Sequence, residues 1–85
     1  MAKKKPDTTE AVYRLLQGGA EIEFNMELDK FYVIYKNKVD KISRAIFTGL
    51  DNRNVLIKSY ESYPLRTYRL VQHARGKDFP KYTTR

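Results

Sequence analysis

Apolar residues first recur at helical spacing near the N-terminus of the chain. This stripe consists of Ala11, Val12, Leu15 and Leu16, and polar residues lie opposite it. Asp7 and Glu10 have the spacing of an N-terminal capping box, and Gly18-Gly19 can accept the backbone conformation in which many helices end. The pattern predicts a helix over residues 8–17.

The apolar period then changes to two. In residues 20–24 apolar side chains alternate with glutamates, and residues 31–35 are aromatic and β-branched. Both features are typical of strands. Because only a short polar segment separates the two runs, we expect them to pair as an antiparallel hairpin.

Helical spacing returns at residue 39. One face of a helix over residues 39–50 would hold Val39, Ile42, Ala45, Ile46 and Leu50. Its exposed face would present Lys41, Arg44 and Thr48. Residues 55–60 and 65–71 then have the pattern of two strands, and the four residues between them match the length of a hairpin connection.

These elements predict an α+β fold in the order helix, strand, strand, helix, strand, strand. The 85 residues are enough for one domain only, which we place at residues 7–71. Residues 1–6 are expected to form a disordered basic arm, and residues 72–85 a mobile or partly ordered basic tail.

The second half of the chain resembles small winged-helix domains. Residues 42–56 are similar to the end of a recognition helix, where an amphipathic helix ends at a leucine (here Leu50), a polar turn holds an arginine (Arg53), and a hydrophobic strand begins. Residues 65–70 resemble the returning strand of the wing. The first half departs from the family, because a hairpin over 20–36 stands where a second helix is usual. The resemblance implies a compact winged-helix-like variant of phage or bacterial type.

The charge of the chain favours an anionic partner. Seventeen Lys and Arg residues oppose ten Asp and Glu residues, giving a net charge of +7. Residues 1–35 have a net charge of −1 and residues 36–85 a net charge of +8. Such asymmetry is typical of a protein with one anion-binding side, although a solvated surface that merely maintains solubility remains an alternative.

Several residues are candidates for contact with that partner. Arginine can pair with guanine and lysine with guanine or phosphate in a DNA groove. The candidates on the second helix, its flanks and the wing are Lys36, Lys38, Lys41, Arg44, Thr48, Arg53, Lys58, Arg66 and Arg69. The basic ends would add affinity without reading sequence. Tyr63, beside Pro64 at the expected wing tip, is a candidate for stacking or for contact with a protein partner.

The sequence offers little for catalysis or for a cofactor. It contains no cysteine and one histidine, and its carboxylates lack the spacing of a metal cluster. It also lacks a glycine-rich phosphate loop and a nucleophile elbow. We therefore expect a non-enzymatic protein without a metal or cofactor. No apolar run is long enough to span a membrane. The N-terminal residues lack the apolar stretch of a secretory signal, which favours a cytoplasmic location, in the host cytoplasm if the protein is phage-encoded.

Three functional hypotheses remain at this stage. The leading one is a DNA-binding winged-helix-like regulator or accessory factor that binds duplex DNA. The second is a protein-binding inhibitor or adaptor, such as a phage anti-defence or host-takeover protein, that docks on an acidic or nucleic-acid-binding host protein. The third is an RNA-binding protein. A monomer is favoured over a homodimer, because the sequence shows no additional long helix for a dimer interface.

Overall fold

The computed structural model of the chain describes residues 6–74 and residue 76, which form two α-helices, five β-strands and one short 3-10 helix. In chain order these are α1 (Thr9–Gln17), β1 (Glu21–Asn25), β2 (Lys30–Tyr35), β3 (Lys38–Ile42), α2 (Arg44–Asn52), β4 (Leu56–Ser62), β5 (Leu65–Leu70) and the 3-10 helix Gln72–Ala74. The α+β class is confirmed, and β3 is an element that the sequence pattern did not predict.

The first helix lies where the sequence predicts it, but its cap differs. Thr8, in extended conformation, is the N-cap, and its side-chain oxygen accepts a hydrogen bond from the amide of Ala11 at 3.0 Å. The prediction of a capping box from Asp7 was wrong by one residue, and Glu10 instead forms an ion pair with Arg14 at 3.0 Å. The predicted glycine stop is confirmed, with Gly19 at a φ of 109°.

The five strands form one antiparallel sheet in the order β3-β2-β1-β5-β4. Both predicted hairpins are present, since β1 pairs with β2 and β4 pairs with β5. Strand β1 lies in the centre because it also pairs with β5, so the two hairpins are parts of a single sheet.

The predicted helix over residues 39–50 was wrong in its first half. Residues Lys38–Ile42 form strand β3, and α2 begins at Arg44 after Ser43, whose side chain caps the helix by accepting from the amide of Ile46 at 3.2 Å. A two-residue turn reverses the chain before β3, with Lys36 at a φ of 55°. Lys41 therefore lies on a strand, and Val39 is 62% exposed instead of packing in a helical face.

The hydrophobic core lies between the two helices and one face of the sheet. The buried side chains on the helices include Val12, Tyr13, Leu16, Ile46 and Leu50, and those on the sheet include Ile22, Phe31, Val33, Ile42 and Leu70. In an antiparallel sheet, directly opposed residues share a face, so the register assigns the alternate residues to the other side. No described helix covers that side, which we call the uncovered face. Its members include Glu21, Glu23, Tyr32, Ile34, Val39, Lys41, Ile57, Tyr60, Thr67 and Arg69.

The described fold continues past the predicted domain boundary at residue 71. The hydroxyl of Tyr13 on α1 donates a hydrogen bond at 3.0 Å to the carbonyl of Ala74, and both residues are buried. Residues 1–5 of the predicted arm (1–6) lie outside the described residues, as do residues 75 and 77–85 of the predicted tail (72–85). Neither described α-helix is long and apolar enough to cross a membrane.

Candidate nucleic-acid interface

Four aromatic side chains form a continuous cluster on the helix side of the sheet, near the N-terminus of α2. The rings of Phe24 and Phe31 stack with centroids 4.4 Å apart, and those of Phe31 and Phe47 stack at 4.5 Å. Phe47 then meets Tyr68 edge to face at 4.9 Å. Phe31 is buried, whereas the other three rings are half-buried, so the cluster reaches from the core to the surface.

Three of the sequence-predicted cations lie around this cluster. The guanidinium of Arg44, at the start of α2, is 5.3 Å from the ring centroid of Phe31. Arg66 donates a hydrogen bond to the hydroxyl of Tyr68 at 3.2 Å, and Lys58 lies directly opposite Tyr68 in the sheet register. The helix and the β4–β5 hairpin thus supply cations to one surface, which consists of Phe24, Phe31, Phe47, Tyr68, Arg44, Lys58 and Arg66. We call it the aromatic–basic surface.

Two carboxylates neutralise part of this positive charge. Asp29, in the turn between β1 and β2, forms an ion pair with Arg44 in which both side chains are more than half exposed. Glu61 accepts a hydrogen bond from Lys58 at 2.6 Å and from Arg66 at 3.3 Å. The bond from Lys58, followed by that from Arg66, lowers the pKa of Glu61 below its ordinary value. The pKa of Arg66 is raised by its hydrogen bonds to Tyr68 and then to Glu61.

A β-bulge produces the contact between Lys58 and Glu61. Residues three apart in a regular strand point to opposite faces. The register of β4 against β5 shifts between Lys58 and Tyr60, so Lys58 faces Tyr68 and Glu61 faces Arg66. Because Tyr68 and Arg66 are two residues apart on β5, Lys58 and Glu61 lie on the same face.

The other predicted residues do not join the aromatic–basic surface as one group. Thr48 is exposed on α2 one turn after Arg44. Arg53 caps the end of α2, is half-buried and donates to the carbonyl of Gly49 at 2.8 Å. Gly49 lies next to Thr9 of α1. Arg53 therefore lies towards the helical layer.

The remaining cations lie at the β2–β3 turn and on the uncovered face. The ammonium of Lys36 is 5.3 Å from the ring centroid of Tyr35, and Lys38 begins β3 next to it. Lys41 and Arg69 lie on the uncovered face, on the opposite side of the sheet from Arg44. Tyr63 is 72% exposed at the β4–β5 turn, as expected of an aromatic residue at a hairpin tip.

The net charge is distributed differently from what the two halves of the sequence suggest. Residues 6–74 and 76 contain ten Lys and Arg residues against nine Asp and Glu residues, a net charge of +1. The remaining +6 belongs to residues 1–5, 75 and 77–85. The described fold is therefore nearly neutral, and the chain owes most of its positive charge to its two ends.

Sequence reasoning missed the two acidic partners and the surface role of the rings. Asp29 approaches Arg44 only through the β1–β2 turn, and Glu61 approaches Lys58 only through the bulge. Neither contact has a signal in residue spacing. The contribution of Phe47 and Tyr68 to a surface follows only from where α2 packs.

The described residues offer no group of three or more His, Cys, Asp or Glu side chains that could hold a metal ion. An open recess of about 320 Å³ is lined by Ile57, Arg69, Leu70 and Gln72, and it presents one charged side chain. Comparison of the chain with protein-family models, with curated proteins and with solved structures found no match.

Proposed function

We propose that this chain is a small DNA-binding protein of winged-helix-like type, a regulator or accessory factor that contacts duplex DNA with its aromatic–basic surface. In this proposal α2 acts as the recognition helix, with Arg44 and Thr48 towards the bases. The β4–β5 hairpin acts as the wing, and its Lys58 and Arg66 hold phosphates.

The observation that supports the proposal is that three cations lie on the same side of the sheet, namely Arg44, Lys58 and Arg66. They come from two elements that are distant in the chain, and a single set of touching aromatic rings connects them. The packed aromatic rings are rigid, so they hold in place the parts of these three side chains that lie nearest the backbone. A helix and a hairpin that present cations side by side can contact neighbouring parts of one duplex.

The two carboxylates on this surface are compatible with binding. Exposed ion pairs contribute about 0–1 kcal/mol, so little free energy is lost when a phosphate replaces Asp29 or Glu61 as the partner of a cation. The acidic residues also give a clear expectation. Neutralising Glu61 would free both Lys58 and Arg66 for phosphate, and DNA binding should become stronger.

The order of elements also supports the winged-helix-like part of the proposal. Helix α2 is followed directly by a two-stranded hairpin, as the resemblance implies. The predicted hairpin over 20–36, which is β1 and β2, stands together with β3 where a second helix is usual. The wing is held along β1, because the amide of Met26 donates to the carbonyl of Pro64 at 2.7 Å. We therefore expect the face of the hairpin, more than its tip, to contact DNA.

Fluorescence anisotropy with a labelled duplex at 50 and 200 mM salt tests this function. Lys58→Gln should weaken binding to all sequences by about two- to tenfold and reduce the salt dependence by about one phosphate. Arg44→Gln should weaken binding to preferred sequences most. Glu61→Gln should strengthen binding about two- to fivefold, since it removes the carboxylate that competes with phosphate for Lys58 and Arg66.

The matched control is Arg14→Gln, which removes an exposed cation in an ion pair on α1, away from the proposed surface. It should change affinity less than Lys58→Gln. The proposal fails if the wild-type chain does not bind duplex DNA at low salt, or if Arg14→Gln and Lys58→Gln have equal effects.

A protein-binding inhibitor or adaptor is the second proposed function, and the uncovered face favours it. This face exposes Val39, Ile57 and Tyr60 by half or more, and exposed apolar groups frequently mark contact with other proteins. A pull-down from nuclease-treated bacterial lysate separates the two functions, because a protein partner survives nuclease and a nucleic-acid bridge does not. Competition between duplex DNA, single strands and structured RNA then tests the RNA-binding alternative.

A further inference from the structure

Strand β4 forms an edge of the sheet, and it exposes two large apolar side chains. Among the described strands it pairs only with β5, so one of its two rows of backbone groups has no partner in the sheet. Ile57 is 50% exposed and Tyr60 is 57% exposed on this strand, and Tyr63 follows at the turn. Three of the five large apolar side chains that are exposed in the described chain therefore lie along one strand edge. Such an edge is a template for pairing with another strand.

The charges of β4 make this edge complementary to itself. Because of the bulge, Lys58 and Glu61 point to the same face of the sheet. Ile57, Tyr60 and Ser62 point to the uncovered face. An antiparallel copy in which Lys58 lies opposite Glu61 also places Ile57 opposite Ser62 and Ser59 opposite Tyr60. In this register Lys58 shares a face with Glu61, and Ile57 shares a face with Ser62. The hydroxyl of Ser59 lies 3.0 Å from that of Thr67 on the uncovered face, so Ser59 shares the face of Tyr60, as an antiparallel ladder requires.

We propose that two copies of this chain associate through β4, antiparallel about a two-fold axis between Ser59 and Tyr60, and so form a continuous ten-stranded sheet. Each Lys58 then lies beside the Glu61 of the second copy, and the two-fold axis makes this contact twice. The exposed apolar side chains Ile57, Tyr60 and Tyr63 become partly buried along the seam.

The opposite edge of the sheet is a poorer interface. Strand β3 has two lysines, Lys38 and Lys41, on alternate faces, and lysines on an edge strand oppose pairing with a neighbour. Strand β4 has one lysine, Lys58, and in the proposed register it lies opposite the acidic Glu61. The monomer expected from the sequence rested on the absence of a long additional helix. The proposed interface needs none, because backbone hydrogen bonds and the apolar strip of β4 supply it.

A two-fold axis perpendicular to the sheet keeps the helices of both copies on one side. The two aromatic–basic surfaces would therefore face the same direction, as in dimers that contact two half-sites of a duplex. The association itself does not rest on the proposed function, because the protein without nucleic acid tests it.

Sedimentation equilibrium of the full chain at 10–500 µM protein is the experiment. Wild-type protein should change from the monomer mass to twice that mass over this range, because a bulged strand of seven residues gives a modest interface. Lys58→Glu (K58E) and Glu61→Lys (E61K) should each weaken self-association at least tenfold, since each places like charges opposite one another.

An equimolar mixture of K58E and E61K separates contacts between chains from contacts within one chain. Both variants lose the internal ion pair between residues 58 and 61, yet in the mixture each negative pair lies opposite a positive pair, so a heterodimer should form. Lys38→Glu on β3 and Glu27→Lys in the β1–β2 turn change the net charge equally and should leave the wild-type dimer intact. Circular dichroism establishes that each variant is folded.

Three results would overturn the proposal. The first is a wild-type chain that keeps the monomer mass at 500 µM. The second is that the single variants dimerise as the wild type does. The third is that the mixture of the two folded variants remains monomeric. DNA binding by a chain that stays monomeric would contradict the dimer alone. A dimer that binds no DNA would contradict the proposed function alone.

Discussion

Replacing Tyr13 by phenylalanine tests how the C-terminal end of the described fold is attached. The Tyr13 hydroxyl donates to the carbonyl of Ala74 at 3.0 Å, and neither residue has more than a few per cent of its surface exposed. Phenylalanine keeps the ring and its packing but leaves the buried carbonyl without this donor. A buried polar group without a partner costs about 1–3 kcal/mol. We therefore expect Tyr13→Phe to lower the free energy of unfolding by about 1.5–2 kcal/mol, a large fraction for an 85-residue domain.

Urea unfolding followed by circular dichroism measures this change. Tyr60→Phe is the matched control, because it also removes a tyrosine hydroxyl but from an exposed side chain, and it should alter stability by less than 0.5 kcal/mol. Hydrogen exchange adds a local measurement: the amide of Ala74, which donates to the carbonyl of Val71 at 3.1 Å, should exchange faster in Tyr13→Phe. Equal stability of the two variants would refute the idea that the hydroxyl secures the 3-10 helix to α1.

Three further predictions concern the stability and charge of the fold. Lys36→Gly should stabilise the protein by about 0.5–1 kcal/mol, because Lys36 has a φ of 55° that glycine adopts without strain. Asn54→Gly is the control in urea unfolding. It should be nearly neutral, since asparagine tolerates a positive φ. Leu50→Ala should cost about 3 kcal/mol, because Leu50 is fully buried, and a cost under 1 kcal/mol would contradict the packing of α2. In NMR experiments the carboxyl of Glu61 should titrate below its ordinary pKa, and in Lys58→Gln its pKa should return towards that ordinary value. Because the folded pKa is lower than the unfolded pKa, the contribution of Glu61 to stability is complete above the unfolded pKa. This contribution disappears as the pH falls through the folded pKa.

Local sequence patterns predicted those parts of the fold that have a buried, regular face. Helix α1 has an apolar stripe and two terminal glycines, and β1 alternates apolar residues with glutamates. Strands β2 and β5 contribute buried side chains to the core, which is why their apolar residues form recognisable runs. In each case burial of one face imposes the period that the sequence displays.

Strand β3 could not be recognised because it lacks both signals of a strand. As an edge strand it buries only Ile42, so its apolar and polar residues do not alternate. A tight hairpin turn is usually recognised in a sequence by a glycine that takes a positive φ. The turn before β3 has no glycine, and Lys36 takes the positive φ instead. Val39 and Ile42 also happen to continue the helical spacing of Ile46 and Leu50. Tertiary pairing with β2 overrides this local pattern.

The candidate site was predictable in its cations but not in its geometry. Arg44, Lys58 and Arg66 are visible in the sequence as basic residues on a helix and on a hairpin. Their common surface depends on the register of β1 against β5, and their neutralisation by Asp29 and Glu61 depends on a turn and a bulge. These are contacts between distant segments, and residue spacing does not encode them.

The division of charge between the fold and its ends leads to a last prediction, for a chain that lacks residues 77–85. The deleted segment contains Lys77, Lys81 and Arg85 against Asp78, whereas the described fold has a net charge of only +1. If the ends supply nonspecific attraction and the fold supplies recognition, the deletion should weaken binding to every duplex alike. The slope of log affinity against log salt should fall by up to about 2–3, since each phosphate contact contributes about 0.9. Arg44→Gln should have the opposite effect: it should remove the preference between duplex sequences and leave the slope of log affinity against log salt nearly unchanged. The reason is that a base contact by one side chain carries sequence information and nonspecific charge does not. Anisotropy titrations of both proteins with two duplexes at several salt concentrations measure the two effects separately. A deletion that alters sequence preference, or an Arg44→Gln that leaves it intact, would show that the division of roles between fold and ends is wrong.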